Sequence, residues 1–249
     1  RAPRMAAVIG LFYAVTMVTA GLIGLGQPLL GVDPVIIELV QFAPALGVVA
    51  VLLVWRPATR PGGSGPIAPQ LLTVAALGAG IFGAVVAAYA LLGEDVSYTH
   101  PGALTHSFAL IAVAQFVGAC GEEFGWRWFL TPYLRTRYGV LTTGTVVGLL
   151  WGVWHAQVFA VGPAYAVAFL ISTIAMSIIL TILLEGAGNH RLLVAGSFHA
   201  VVNLGLLLLL REESGDAVAM TTFAGACVLA AFVMSTRLRD RRAPKETAR

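Results

Sequence analysis

The sequence predicts an all-α protein, a polytopic membrane helix bundle of about eight transmembrane helices with both termini in the cytoplasm. Of its 249 residues, 58% are hydrophobic and only 11% are charged, and the mean hydropathy is +0.87. Soluble domains usually carry about 25% charged residues, so a water-soluble fold of this size could not bury so much apolar surface. The long apolar segments and the charges of the loops between them give the number of helices.

Eight segments have the length and the apolar composition of a spanning helix, which needs about 20 residues. They lie near residues 5–26, 34–55, 69–92, 103–133, 140–160, 164–184, 191–210 and 217–236. The breaks between them are short and polar, as in the stretch 60–66, which is rich in Gly and Pro and is predicted to be a loop. We therefore expect one membrane-embedded domain over residues 1–249.

The basic residues support this count of helices. With the N-terminus inside, every Lys and Arg except Arg127 and Arg211 falls on the cytoplasmic side. The opposite side holds the acidic residues Asp33, Glu94, Asp95, Glu212, Glu213 and Asp216. This asymmetry is the positive-inside pattern. One helix more or fewer after the fourth would put Arg135 and Arg137 on the side opposite to the basic C-terminus.

The basic C-terminal segment 237–249 is predicted to be a topology anchor in contact with anionic membrane lipids. Binding of nucleic acid would need a folded basic surface instead, and the sequence contains none. We therefore expect membrane lipids, and no nucleic acid, as partners. The expected location is a multi-pass position in the cell membrane of a bacterium or archaeon.

The fourth segment holds three ionisable residues, Glu122, Glu123 and Arg127, in the sequence GEEFGWRW of residues 121–128. Together they would cost up to about 8–10 kcal/mol in a bilayer before any pairing, which implies a position near the interface or a function. Glu123 and Arg127 are four residues apart and can form an ion pair, whereas Glu122 lies about 100° around the helix. We infer that Glu123 orients Arg127 and that Glu122 faces a polar cavity. The alternative is a structural ion-pair cluster at the helix end.

Two further helices carry isolated polar residues. His155 is the only ionisable residue of the fifth segment, and Trp151 on the same face could form a wall of the site. In the seventh segment His199 and Asn203 share one face. Each of these residues could be a polar contact between helices. With Glu122, however, they supply one carboxylate and two imidazoles from three helices, a set that can activate water or bind a metal ion.

The predicted topology lets these residues meet. The fourth helix runs toward the cytoplasm, and the fifth and seventh run away from it. Glu122 and His199 then fall between the cytoplasmic half and the middle of the bilayer, while His155 lies somewhat further out.

Three motifs resemble those of the CPBP family, which comprises CAAX proteases and bacteriocin-processing enzymes, is also called the Abi family, and includes the Ras-converting endopeptidase. They are Glu122-Glu123 with Arg127, Trp151 four residues before His155, and His199 four residues before Asn203. The resemblance covers about residues 118–207. It departs from the family at Trp151, where Phe is usual, and at Trp128, where Gly is usual. The second departure is expected to change close helix packing without removing a reacting group.

The resemblance implies an intramembrane endopeptidase whose substrate is a CAAX-like or other membrane-associated peptide, or a lipidated protein. It assigns Glu122 and His155 to activation of water and His199 and Asn203 to stabilisation of the oxyanion. It assigns electrostatic support to Arg127, held by Glu123.

The resemblance leaves substrate recognition and metal content open. The natural substrate and its binding residues are not identified, although Trp126 and Trp151 are candidates for contact with it. A metal-free glutamate mechanism is favoured over a zinc ion held by Glu122, His155 and His199, a set that has the composition of a His₂Glu zinc site.

Two other classes of protein use similar residues. A proton- or ion-coupled transporter also contains intramembrane carboxylates and histidines, but the sequence has no repeated half and no matching pair of broken helices. A non-enzymatic membrane interaction or immunity protein can share a protease fold. The presence of all four polar residues of the motifs favours an active enzyme.

Overall fold

The structure is a computed structural model that describes residues 4–59, 65–210 and 215–242. Over these residues the chain is helical and has no strand. The α-helices are α1 (Met5–Gly26), α2 (Ala43–Val54), α3 (Ile67–Leu92), α4 (Phe108–Glu123), α5 (Thr131–Leu134), α6 (Val140–Trp154), α7 (Val158–Val161), α8 (Pro163–Leu183), α9 (Arg191–Leu209) and α10 (Ala217–Arg242). Several positions of the predicted charge pattern lie outside the described residues: Arg1, Arg60, Arg211, Glu212, Glu213, Lys245 and Arg249.

Six helical stretches are long and apolar enough to cross a membrane. They are Met5–Leu30, Ile67–Leu92, Phe108–Leu134, Pro163–Leu183, Gly188–Leu209 and Ala217–Arg237. Large apolar side chains cover the outside of the bundle, as at Leu53, which is 82% exposed. Such a surface is suited to lipid rather than water. The chain is therefore a multi-pass integral membrane protein, and the predicted all-α bundle is confirmed. The total of eight spans and the cytoplasmic position of the termini stay predictions.

The predicted span 34–55 is wrong in its first part, because the helical stretch there is only Leu39–Val54. The backbone turns at Asp33, whose Oδ1 accepts a hydrogen bond from the N–H of Val35 at 2.9 Å. A 3₁₀ turn, Leu39–Phe42, then leads into α2. Pro44 lies in the first turn of α2, where the missing N–H removes no helical hydrogen bond. The turn at Asp33 and the 3₁₀ turn thus make the helix shorter than the apolar segment that contains it.

The predicted span 140–160 also ends early, at Trp154. The next residues form a turn in which the N–H of Ala156 donates to the carbonyl of Trp154 at 2.8 Å. Gly162 has a φ of 146°, a backbone conformation that favours glycine, and it is followed by the proline that begins α8. His155 therefore caps α6 and does not lie inside a spanning helix.

α4 does not end in a standard cap but continues into a π-helical stretch, Phe124–Leu130. Its last turn is closed by Thr131, whose N–H and hydroxyl both bond to the carbonyl of Trp126, the hydroxyl at 2.8 Å. The following residue, Pro132, has no N–H to offer. π-Helical turns are rare and are frequent at functional sites, and this one carries Arg127.

An ion pair joins two loops on the predicted external side of the bundle. His106 Nε2 lies 2.8 Å from Asp33 Oδ2, and both side chains are partly exposed. The hydrogen bond from His106, together with that from the backbone of Val35, lowers the pKa of the Asp33 carboxyl below its usual value. The pair links the loop before α2 to the loop before α4.

Asp33→Asn is expected to destabilise the protein slightly at neutral pH, and this difference should disappear in acid. A carboxyl whose pKa is lowered in the folded state stabilises it only while ionised, so the contribution is lost as the pH falls below about 3.9 and through the lowered pKa. Thermal unfolding in detergent between about pH 7 and about pH 2 measures it. Asp95→Asn, at an exposed position on the same predicted side, is the control. A wild-type advantage that persists in strong acid would contradict the prediction.

Candidate active site

Glu122, near the end of α4, is buried inside the bundle with 3% exposure. Each of its oxygens accepts one N–H group. Gln41 Nε2 lies 3.2 Å from Oε1, and Trp151 Nε1 lies 2.9 Å from Oε2. These bonds use about two of the four lone-pair positions of a carboxylate, so Glu122 can still accept a proton from water. In the structure, the polar groups in contact with Glu122 are therefore the side-chain N–H donors of Gln41 and Trp151.

Glu123 pairs with two cationic or potentially cationic groups. Its Oε1 lies 2.9 Å from Arg127 Nη1 and 2.8 Å from His199 Nδ1. The ion pair predicted from the spacing of Glu123 and Arg127 is therefore present, and both side chains are fully buried. A buried charge is tolerated only with such a partner. Glu123 thus connects α4, the π-helical stretch and α9.

The Arg127 guanidinium is held by one carboxylate and one aromatic ring. Its Cζ atom lies 4.2 Å from the centroid of the Trp151 ring, a cation–π contact that stabilises a desolvated cation. Its Nε and Nη2 atoms have no hydrogen-bond partner among the described residues. The guanidinium is therefore paired with Glu123 but is not fully hydrogen-bonded by the described residues.

The hydrogen bonds of the two histidines fix which ring nitrogen is available. His155 Nδ1 lies 2.9 Å from the backbone carbonyl of Trp151, and a carbonyl can only accept, so Nδ1 carries a hydrogen. In the neutral ring Nε2 then has a free lone pair and can act as a base. His199 Nδ1 faces the carboxylate of Glu123 in the same way. Each ring is oriented through Nδ1 and keeps Nε2 for chemistry.

Trp151 contacts four of the predicted site residues. Its indole N–H donates to Glu122, its ring lies against Arg127, its carbonyl binds His155, and its ring centroid lies 5.2 Å from that of His199. The ring itself is buried, with 3% exposure. The structure thus gathers the predicted carboxylate, the cation and both imidazoles around one residue.

Asn203 lies one turn beyond His199 on α9 and contacts α4 at a different level. Its Nδ2 donates to Gln115 Oε1 at 3.0 Å. Asn203 retains a second N–H and its carbonyl, so this bond does not exhaust it. The two polar contacts between α4 and α9, at Glu123 and at Gln115, fix how these helices are rotated against each other.

Sequence reasoning missed Gln41 and Gln115. Both are uncharged polar residues inside apolar segments, and this feature of the sequence could have indicated a role in the site. Gln41 reaches Glu122 because Gly118 leaves room for its carboxamide, since a Cβ atom at position 118 would lie 2.7 Å from Gln41 Cδ. The position of Gln41 depends on the 3₁₀ turn before α2, which the apolar pattern did not predict.

The tryptophans that flank Arg127 in sequence have different surroundings. Trp126 is fully buried and packs edge-on against Phe12, with ring centroids 5.3 Å apart, so this candidate for substrate contact lies in the core. Trp128 is 43% exposed and stacks on Phe124, with centroids 4.5 Å apart. The Trp128 ring therefore lies on the outside of the bundle, and the expected change of helix packing relative to a glycine at this position stays a prediction.

The residues proposed as alternative zinc ligands do not form a metal site as they are arranged. In the part of the chain that the structure describes, no group of three or more His, Cys, Asp or Glu side chains could hold a metal ion. Both oxygens of Glu122 accept N–H groups, and Nδ1 of His199 faces Glu123. Zinc binding by Glu122, His155 and His199 would require these bonds to rearrange.

Comparison with known proteins identifies relatives of this chain. Residues 104–205 match the family model described as type II CAAX prenyl endopeptidase Rce1-like. Lysostaphin resistance protein A of Staphylococcus epidermidis is 31% identical over 121 residues, which cover 49% of this chain and 31% of that protein. Its namesake in Staphylococcus aureus is 25% identical over 224 residues, which cover 84% of this chain and 51% of that protein.

The chain therefore spans about half or less of the length of these curated relatives. The segment that matches the family model contains Glu122, His155, His199 and Asn203. The resemblance that the three motifs indicated is confirmed: the chain is related to the CPBP family through an Rce1-like segment at residues 104–205.

Proposed function

We propose that this chain is an intramembrane endopeptidase that hydrolyses a peptide bond with a water activated by Glu122 and His155. The observation that carries the proposal is the convergence of Glu122, His155 and His199, from α4, the end of α6 and α9, on the single residue Trp151, through its indole and its backbone carbonyl. The matched family is one of endopeptidases by its description, which supports proteolysis as the reaction class.

In this mechanism the oxygen of a bound water attacks the carbonyl carbon of the scissile bond. One of its protons passes to the Glu122 carboxylate, while the free Nε2 lone pair of His155 accepts a hydrogen bond from the same water. When the C–N bond breaks, the proton held by Glu122 passes to the leaving nitrogen and gives an amine. The second proton of the water stays on the new carboxyl group, which then loses it to solvent. General acid–base transfer of this kind typically contributes about 10²- to 10⁴-fold to a rate.

The oxyanion of the tetrahedral intermediate needs hydrogen-bond donors. In its protonated form, His199 supplies Nε2–H, because its Nδ1 is held by Glu123. Asn203 supplies the N–H that is not used by Gln115. A donor aimed at a developing oxyanion is worth about 3–4 kcal/mol. Arg127, which is held by Glu123, adds electrostatic support.

A peptide with a prenylated CAAX-type C-terminus is the substrate that we propose first. The support is the description of the matched family, which names CAAX prenyl endopeptidases. A substrate with a lipid anchor also suits a site that lies within a bilayer-spanning bundle, because the anchor concentrates the peptide in the membrane.

The test is cleavage of a quenched fluorescent peptide by the protein in vesicles. A farnesylated CAAX-type peptide is compared with the same peptide without the lipid and with segments of membrane proteins. A Glu122→Gln preparation reports cleavage by contaminating proteases. Cleavage of the farnesylated peptide alone supports the full proposal, and cleavage of other peptides supports the reaction but not the substrate. Failure on the whole panel would overturn the protease function.

A chelator added to the same assay tests the metal-free mechanism. We expect cleavage to persist, because the Glu122 oxygens and His199 Nδ1 are engaged by protein groups. If a chelator abolished cleavage and zinc restored it, Glu122, His155 and His199 would become metal ligands. That outcome would contradict the proposed mechanism while leaving the endopeptidase function intact.

A non-enzymatic role in resistance is the second candidate. It is favoured by the name of the relatives, lysostaphin resistance protein A, which describes a resistance and not a reaction. A protein that acts by binding would keep its effect in cells when Glu122 is replaced by glutamine. An endopeptidase would lose it.

A further inference from the structure

Trp151 takes no part in proton transfer or oxyanion binding in the proposed hydrolysis, although it contacts Glu122, Arg127 and His199. Its indole N–H is a donor only and does not exchange its proton in ordinary acid–base catalysis. Any contribution that it makes to the reaction must therefore come through the position of its neighbours. The same holds for Gln41, whose carboxamide is not a general base.

The hydrogen bonds of Gln41 and Trp151 hold both carboxylate oxygens of Glu122. A single donor would fix one oxygen and leave the carboxylate free to rotate about it. Here Gln41 binds Oε1 and Trp151 binds Oε2, at 3.2 and 2.9 Å. The two donors come from different elements, the 3₁₀ turn before α2 and the last turn of α6. Both donors are buried, with 7% and 3% exposure, which shields these bonds from bulk water.

We propose that Gln41 and Trp151 are positioning residues that hold the two oxygens of Glu122 in the orientation needed to activate water. The inference rests on the proposed endopeptidase function and adds two residues to it. A phenylalanine at position 151 would have a similar ring but no N–H for Glu122. The tryptophan therefore supplies an interaction that an aromatic ring alone would not.

The competing interpretation is that Trp151 only fills space and stacks on Arg127. Trp151→Phe separates the two interpretations, because it keeps an aromatic face for Arg127 and removes the N–H. Gln41→Met does the same at the other oxygen, since methionine has a similar length and no strong donor. If positioning matters, both variants should be impaired in the same kinetic parameter.

We expect kcat for the reporter peptide to fall about tenfold in each variant and KM to change less than about twofold, as for the loss of one hydrogen bond that acts on the reacting group. Trp55→Phe makes the same exchange at a partly buried tryptophan at the end of α2 and should leave both parameters unchanged. Thermal unfolding of each variant shows whether it is folded. Unchanged or increased kcat in folded Trp151→Phe would overturn the inference.

Nuclear magnetic resonance tests the contact without reference to activity. The chain has five tryptophans, so ¹⁵N labelling of tryptophan gives five indole N–H signals, and Trp151→Phe identifies its own by loss. Glu122→Gln should shift the Trp151 signal more than the other four, because an ionised acceptor is replaced by a neutral one. If Glu122→Gln left all five indole signals unmoved, the inference would be overturned even if Trp151→Phe proved unstable.

The two measurements keep this inference separate from the function on which it rests. If wild type cleaves the reporter and Trp151→Phe and Gln41→Met cleave it equally well, the endopeptidase stands and the positioning role fails. If wild type cleaves no peptide of the panel, the endopeptidase fails and the positioning role fails with it. The indole signals then still decide whether the hydrogen bond itself exists.

Discussion

Glu122→Gln is expected to reduce kcat for the peptide reporter by about a thousandfold, within the range usual for a general base. Glutamine keeps the shape of the side chain but cannot take the proton of the attacking water. It also places an NH₂ group against one of the two donors, Gln41 or Trp151. Some stability is therefore lost, about 1–3 kcal/mol for one unsatisfied buried group, but the protein should remain folded.

Glu123→Gln is the matched control for this loss, because it is the same substitution at the next residue. Glu123 binds Arg127 and His199, so its replacement should lower thermal stability more and remove no proton acceptor from the proposed reaction. The ratio of activity loss to stability loss should thus be far larger for Glu122→Gln. Folded Glu122→Gln with more than about a tenth of wild-type kcat would refute its role as the base.

Arg127→Met is expected to cause the largest loss of stability, about 3–5 kcal/mol. The substitution keeps most of the side-chain volume but leaves the fully buried Glu123 with His199 as its remaining partner. An uncompensated charge inside the protein is far more costly than a missing contact. Thermal unfolding in detergent, followed for wild type and variant under the same conditions, measures the effect.

The comparison variants are Arg135→Met and the double substitution Glu123→Gln/Arg127→Met. Arg135 pairs with Glu185, whose side chain is 26% exposed, and a pair near water contributes only about 0–1 kcal/mol. Removing both charges of the Glu123–Arg127 pair should restore part of the stability that Arg127→Met loses. If the two single losses simply added in the double variant, the two charges would not be coupled.

The membrane bundle could be predicted from composition because the apolar segments are long and the charges between them are asymmetric. The ends of α2 and α6 could not be predicted in this way. Hydropathy is averaged over a whole segment, whereas the turn at Asp33 and the break before Pro163 depend on single residues. As a result His155, expected within a helix, was found at its end.

The candidate site was partly predictable for a similar reason. Ionisable residues in apolar segments stand out, and the i, i+4 spacing was sufficient to pair Glu123 with Arg127. The contact between Trp151 and Glu122 depends instead on how α6 is rotated against α4. A residue's spacing within its own helix carries no information on that rotation. Trp151 was therefore predicted as a wall of the site rather than as a donor to the carboxylate.

The contact of Gln41 with Gly118 has a consequence for the evolution of the site. Gln41 lies outside the segment that matches the family model, whereas Gly118 and Glu122 lie inside it. Any side chain at position 118 would displace the carboxamide, so residues 41 and 118 should co-vary among homologues. Lineages with a larger residue at position 118 should have lost the glutamine and hold the carboxylate by other means. Sequence matches confined to the family segment would overlook this change.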